Sequence, residues 1–220
     1  MNERLTGFSA KELEDFLMLL PRIFSDFRVY SDPRNEPLEL LYIYGETIDN
    51  DHSSLYRAIE LANAGAMRCI GISGGEAANG YAGFDRTVKR LKVLGWKSNM
   101  PIVKLGDGGN ANTLTEARAL VEHARTSGGD IGIVAPAFHL VRAFMTVVSA
   151  MGDAPIRVYA ILGSPLPWQE KVLHSQGVLE NTRAGLLGDE LKRLEKYRAP
   201  EFGSLLSAEA VLQYFEWRDK

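Results

Sequence analysis

Five stretches of the chain are apolar without polar alternation: Leu38 to Tyr44 (apart from Glu39), Arg68 to Ile72, Ile102 to Leu105, Ile131 to Ala135 and Ile156 to Leu162. Runs of this kind suit strands buried on both faces, as in a parallel sheet. Between them the apolar positions recur at helical spacing. Leu55, Ile59 and Ala62 share one stripe, and Phe84, Val88, Leu91 and Leu94 another. Leu114, Ala117, Leu120, Val121 and Ala124 form a third, and Leu140, Phe144, Val147, Val148 and Met151 a fourth. Gly65, Gly95, Gly128 and Gly152 follow these stripes, where glycine supplies a left-handed residue that ends a helix at little cost. Alternating strands and helices predict an α/β fold: a Rossmann-like, doubly wound parallel sheet of about five strands with right-handed crossovers and helices on both faces.

The pattern changes at both ends of this core. Ser9-Ala10-Lys11-Glu12 fits a capping box opening an amphipathic helix with Leu13, Phe16, Leu17 and Leu20 on one face, which Pro21 bends or ends. Ser31 to Pro37 reads as a loop, and Leu186 to Tyr197 and Ser207 to Trp217 as two further helices. The expected organisation is one α/β domain over residues 1–220, with a core at 38–152 and helical additions at 9–30 and 186–217.

Composition narrows the function classes. A net charge of −3 without a Lys/Arg block argues against nucleic acid as the main partner. No run approaches the roughly 18 apolar residues of a membrane helix. Met1 to Gly7 is polar, and Phe16 to Leu20 is too short for a signal core, so the expectation is a cytoplasmic protein without a membrane partner. The single cysteine, Cys69, excludes an internal disulfide and reads as a small buried hydrophobe.

Ligands of open parallel sheets sit outside the carboxyl ends of the strands. Four such ends carry unusual residues: Gly45, Glu46 and Thr47; Ser73, Gly74, Gly75 and Glu76; Gly106 to Thr113 with Asp107, Asn112 and Thr113; and Pro136 to His139. Gly71-Ile72-Ser73-Gly74-Gly75 matches Gly-x-Ser-x-Gly literally. In a nucleophile elbow a helix follows the serine at once, whereas here the next helical stripe starts near Phe84. Gly106 to Ala111 matches Gly-x-Gly-x-x-Ala, but after the third strand and without an acid at the end of the next, so it is not read as a dinucleotide fingerprint. Thr113-x-x-Glu116 reads as a capping box, with Thr113 capping and Asn112 facing the ligand at a helix start that attracts anions. His139 opens a helix with Arg142 one turn on, a pair suited to binding phosphate or carboxylate, or to base catalysis by a neutral imidazole. No His/Cys/Asp cluster has metal-ligand spacing; Glu46 and Asp107 could hold a hydrated divalent ion, but nothing requires one.

Taken together, Ile72-Ser73-Gly74-Gly75, Asn112-Thr113 through Ala117, and Phe138-His139-Leu140-Val141-Arg142-Ala143 resemble the YdcF/SanA/ElyC-like family over roughly Leu38 to Gly152. Glu190 to Tyr197 is similar to its soluble, YdcF-like branch. The resemblance implies a Rossmann-like fold with a strand-end pocket; one soluble branch is linked to S-adenosylmethionine, and membrane-anchored branches to envelope maintenance. It carries the family's glycine turn onto Gly74 and Gly75, its acid onto Asp107, its Asn-Thr onto Asn112 and Thr113, and its His and Arg onto His139 and Arg142. The chain differs in having Asp107 for the usual glutamate, Thr115-Glu116 for Glu-Asn, and Ser54 near the usual arginine of the first core helix.

Three functions follow as expectations. In the first, the pocket binds a nucleotide-like or anionic small molecule, with S-adenosylmethionine as the candidate from resemblance. Gly74, Gly75, Asn112, Thr113 and Arg142 hold its anionic part, and Asp107 or Glu46 accepts from its hydroxyl or amino groups. The second is a hydrolase or transferase in which His139 is the base and Asp107 orients it or a water, or Ser73 is a covalent nucleophile. The third is a non-catalytic interaction module, in which the tail from Leu205 to Trp217 docks on its own core or on a second chain.

Overall fold

A computed structural model describes residues 8–26, 36–78, 80–97, 99–106, 108–109, 112–174, 179–202 and 205–220. Asp107 and most of the expected loop at 31–37 lie outside them. The core elements are β1 (Leu40–Ile43), α2 (Ile48–Asn63), β2 (Ile70–Ser73), α3 (Phe84–Val93), β3 (Ile102–Leu105), α4 (Thr113–Ser127), β4 (Ile131–Ala135), α5 (Ala137–Met151) and β5 (Val158–Leu162), preceded by α1 (Ala10–Phe24). A hairpin of β6 (Lys171–His174) and β7 (Leu179–Thr182) follows, then α6 (Arg183–Tyr197) and α7 (Ala208–Arg218).

The five core strands form one parallel sheet in the order β3-β2-β1-β4-β5. This is the expected Rossmann-like arrangement. The strand order reverses between β1 and β4, and the crevice at that switch point is where such sheets take ligands. Strand residues alternate between the faces as the two-residue period requires. Leu40, Tyr42 and Tyr44 join a cluster with Leu120, Leu140, Phe144 and Phe215, whereas Leu41 and Ile43 join Leu55, Ala58, Leu61 and Leu91. Helices α1, α4, α5 and α7 therefore cover one face, and α2 and α3 the other. Gly65, Gly95, Gly128 and Gly152 have positive φ just past their helices, as the spacing predicts.

Several local expectations are corrected. Helix α1 runs through Pro21 to Phe24. Pro21 lies in the last turn, and its carbonyl still accepts from Ser25 N–H at 2.9 Å. The antiparallel β6–β7 pair has no counterpart among the five expected runs. Helix α6 starts three residues before the apolar stripe because Thr182 caps it, accepting from Gly185 N–H at 3.1 Å. At α4 the cap is Asn112 and not Thr113: Asn112 Oδ1 accepts from Leu114 and Thr115 N–H, each at 3.0 Å, and Thr115 Oγ1 accepts from Asn112 N–H at 3.0 Å. That shift of one residue makes Thr113 the first helical residue and leaves its hydroxyl available to the cleft.

Both ends of the chain reinforce the β5 side. The expected docking of the tail on its own core is what the structure shows, with Val211 and Phe215 buried and α7 against α1 and α5. Side chains also close the outer edge of β5. Asp26 accepts from Ala160 N–H, Tyr214 accepts from Val158 N–H, and Arg218 Nη1 donates to Val158 O, all at 2.7 Å. Arg218 and Asp26 pair with each other at 2.6 Å, both buried.

One buried arginine fixes the hairpin and α6 against the core. Arg183 Nε donates to Asn50 Oδ1 at 2.8 Å, Nη2 to Asp49 O at 2.8 Å, and Nη1 to Pro167 O at 3.0 Å and to the Glu170 carboxylate. It is 1% exposed, so all its contacts form within protein. This clamp sets the position from which α6 sends Glu190 into the crevice.

Among the described residues, no helix is long and apolar enough to cross a membrane. No group of three or more His, Cys, Asp or Glu among them could hold a metal ion.

Candidate functional site

A cavity of about 580 Å³ opens at the carboxyl ends of β1 and β4, within the range that small-molecule sites occupy. Its wall is a chain of buried polar side chains. Glu46, just past β1, contacts His139 Nδ1. Nε2 of the same imidazole is 3.3 Å from Thr113 Oγ1 at the start of α4. Arg142, one turn after His139 on α5, donates to the same hydroxyl through Nη1. Its Nε and Nη2 go to the two Glu190 oxygens, Nη2 at 3.1 Å. Arg193 donates to Glu190 Oε1 at 2.8 Å from the rim side. Four separate segments thus meet at one wall, and every side-chain partner of His139 and Arg142 comes from another element.

The partners define the imidazole. Hydrogen on Nδ1 lets the ring donate to Glu46, while Nε2 faces the Thr113 hydroxyl. Arg142 is held charged: desolvation works against the cation, but Glu190 beside it outweighs that and raises its pKa. Glu190 responds in the same sense. Burial pushes its carboxyl up, yet Arg142, His139 and Arg193 together hold it below the ordinary value.

Glu116 forms the floor. Its Oε1 accepts from Tyr42 OH and from Gly45 N–H, both at 3.0 Å. A Cβ on Gly45 would stand 3.3 Å from that oxygen and 3.1 Å from the Tyr81 ring, so glycine allows this close approach. Burial raises the Glu116 carboxyl above its ordinary value, against the opposing pull of Gly45 N–H, His139 and Tyr42. Tyr44 lies beneath, its ring edge-on to His139 at 5.5 Å between centroids. Its hydroxyl is buried and has no hydrogen-bond partner among the described residues. Tyr81, Phe138, Tyr197, Phe202 and Leu205 add apolar and aromatic wall, and Arg118 and Arg193 add positive charge.

Of the residues singled out from sequence, Gly45, Glu46, Asn112, Thr113, His139 and Arg142 line this cavity. Ser73, Gly74 and Gly75 are not among its described lining. Ser73 is buried, with its hydroxyl 3.3 Å from Gly75 N as acceptor and its carbonyl bonded to Tyr81 OH at 2.8 Å. Gly74 N–H donates to Leu105 O at 2.6 Å. A Cβ there would meet Gly106 O at 2.3 Å, so this turn needs glycine to pass the end of β3. Helix α3 begins only at Phe84, so no elbow forms at Ser73. Asp107 lies outside the described residues; among the described carboxylates, Glu46 contacts His139. Arg142, expected to meet an anion with His139, is engaged by Glu190 and Thr113.

Sequence reasoning missed Glu116, Glu190, Tyr42, Tyr44 and Arg193 as contributors. A signal for two of them is present. Glu116 shares its helical stripe with Leu120 and Ala124, and Glu190 sits between Leu186 and Leu194. A carboxylate at a core position of an amphipathic helix points inward, where it needs a partner. No protein-family model and no curated protein matches this chain.

Proposed function

We propose that this chain is a cytoplasmic, YdcF-like pocket protein that binds a nucleotide-like or otherwise anionic small molecule in the β1/β4 crevice, with S-adenosylmethionine among the candidates. The observation that carries the reading is the buried chain Glu46–His139–Thr113–Arg142–Glu190 along one cavity wall. Taking this many ionisable groups out of water costs stability that an apolar wall would not. Their convergence at the switch point of the sheet supports selection for a ligand.

The division of the wall suits a molecule with unlike ends. Glu46 and Glu116 present acceptors to hydroxyl or amino groups. Arg118, Arg193 and the α4 N-terminus on the same lining attract anionic charge. Tyr81, Tyr197 and Phe202 give the lining aromatic surface, which suits a planar base.

Thermal denaturation of the purified chain with S-adenosylmethionine, nucleotides and sugar phosphates tests the reading. A true ligand raises the melting temperature in proportion to the logarithm of its concentration, and at a hundred times its Kd stabilises by about 2.7 kcal/mol. His139→Ala or Glu46→Gln should abolish the shift while leaving a folded protein. No shift with any member of the panel counts against the proposal.

A further inference from the structure

We propose that Thr113 is a nucleophile, activated by His139 and Glu46, that accepts an uncharged acyl group from a carboxylic ester bound in the cavity. The inference rests on the β1/β4 crevice being a ligand site, and adds a reaction to it. No serine among the described residues is part of this constellation.

Three observations converge on the Thr113 hydroxyl. Its Oγ1 is 3.3 Å from His139 Nε2, a separation ordinary for a nucleophile and its base before a substrate tightens the site. The other imidazole nitrogen contacts the Glu46 carboxylate, which orients the ring and stabilises the imidazolium that forms on proton uptake. The Arg142 guanidinium donates to the same Oγ1, which favours the developing alkoxide. Thr113 is also freed from helix duty, because Asn112 and Thr115 supply the α4 cap. Had Thr113 been the cap, its oxygen would face its own backbone.

Charge selects the acyl group. Arg142 is neutralised by Glu190, and Glu46 and Glu116 line the same space. A phosphoryl or carboxylate centre at Oγ1 meets those carboxylates, whereas a neutral carbonyl does not. Arg118 and Arg193 also belong to the lining and supply charge for an anionic leaving portion.

The step balances without a further reagent. The Oγ1 proton passes to Nε2 as Oγ1 bonds to the carbonyl carbon. The ester C–O bond then breaks, and the departing alkoxide takes the proton from Nε2. Water attacks the acyl-threonine, giving its proton to Nε2; the C–Oγ1 bond breaks and the proton returns to Oγ1. One ester and one water yield one acid and one alcohol.

The probe is p-nitrophenyl acetate, with release of p-nitrophenolate followed by absorbance and the acetyl group located by peptide mass spectrometry. The expected result is acetylation of Thr113, abolished in Thr113→Val, retained in Thr113→Ser, and slowed about a hundredfold or more in His139→Asn. Glu46 acts here as a positioning residue, so Glu46→Gln should move the acid limb of the pH–rate profile to lower pH as well as slow it. Circular dichroism checks that each variant folds. Acetyl label only on lysines or other sites, no label at all, or unchanged labelling kinetics in Thr113→Val overturns the inference. Nucleotide-induced thermal shifts, measured on the same wild-type and Thr113→Val samples, report on ligand binding separately. Shifts without Thr113 acetylation sink the nucleophile and spare the pocket; acetylation of Thr113 without shifts supports the nucleophile and counts against a nucleotide-like ligand.

Discussion

Arg142 on α5 and Glu190 on α6 form a two-pronged ion pair in which both side chains are buried, with Nη2 donating to Oε1 at 3.1 Å. Arg193 and Thr113 take up further valences of the pair. The contact joins the last long helix to the wall of the crevice, so it fixes the shape of the cavity as well as its charge.

Breaking this pair from one side should be costly. Glu190→Gln leaves a buried guanidinium without its counter-charge, and the expected loss is about 3 kcal/mol in urea denaturation at neutral pH. The sign of the pH effect follows from Glu190 being held below its ordinary value of 4.5. Its stabilising contribution is present above that value and is lost as pH falls through the lower folded value. The gap between wild type and Glu190→Gln should therefore narrow below about pH 4.5. A gap that stays constant from pH 7 to pH 3 contradicts the assignment.

Glu116 should behave in the opposite sense. Burial raises its carboxyl above 4.5, so the folded state holds the proton more tightly than the unfolded chain does. The associated stability is fully present below the unfolded value and is lost as pH rises through the folded one. Glu116→Gln keeps an oxygen for Tyr42 OH and Gly45 N–H while removing the charge. It should raise stability at neutral pH, with a benefit that fades toward pH 4. Melting temperatures across that range decide it, and a variant less stable than wild type at pH 8 refutes the reading.

Gly74 provides a test of why the Ser-Gly-Gly turn exists. Its Cβ position lies 2.3 Å from Gly106 O, a backbone atom that cannot rotate away. Gly74→Ala should lower stability by about 2 kcal/mol through forced backbone displacement. An unchanged denaturation midpoint would mean that the β2 and β3 ends separate freely.

Tyr44 gives a milder prediction. Its buried hydroxyl has no partner among the described residues, whereas its ring packs against His139. Tyr44→Phe keeps the ring and removes the unsatisfied group, so stability should stay level or rise by about 1 kcal/mol. A loss larger than that in thermal denaturation would reveal a hydrogen bond to a trapped water.

The sheet was legible because buried parallel strands write themselves as runs such as Ile131 to Ala135, and helix ends as glycines such as Gly152. His139, Glu46, Thr113 and Arg142 were legible as strand-end residues, since topology alone delivers those ends to one crevice. Their partnerships were not. Whether His139 meets Glu46 or Asp107 depends on side-chain reach across the switch point, which no local pattern encodes. Glu190 is farther still from the core, and its place depends on Arg183 anchoring α6 to Asn50 and Asp49. The α4 cap moved by one residue because Asn112 and Thr115 satisfy the same geometry as Thr113 and Glu116. The β6–β7 pair is short and lacks a clean alternation, so it carried no strand signature.

The closure of β5 by Asp26, Tyr214 and Arg218 makes α7 a cover for an otherwise open strand edge. A nick or truncation before Ser207 removes the tyrosine and the arginine together and uncovers a row of main-chain donors and acceptors that another copy's strand can zip onto. Loss of α7 therefore exposes the molecule to sheet pairing between copies.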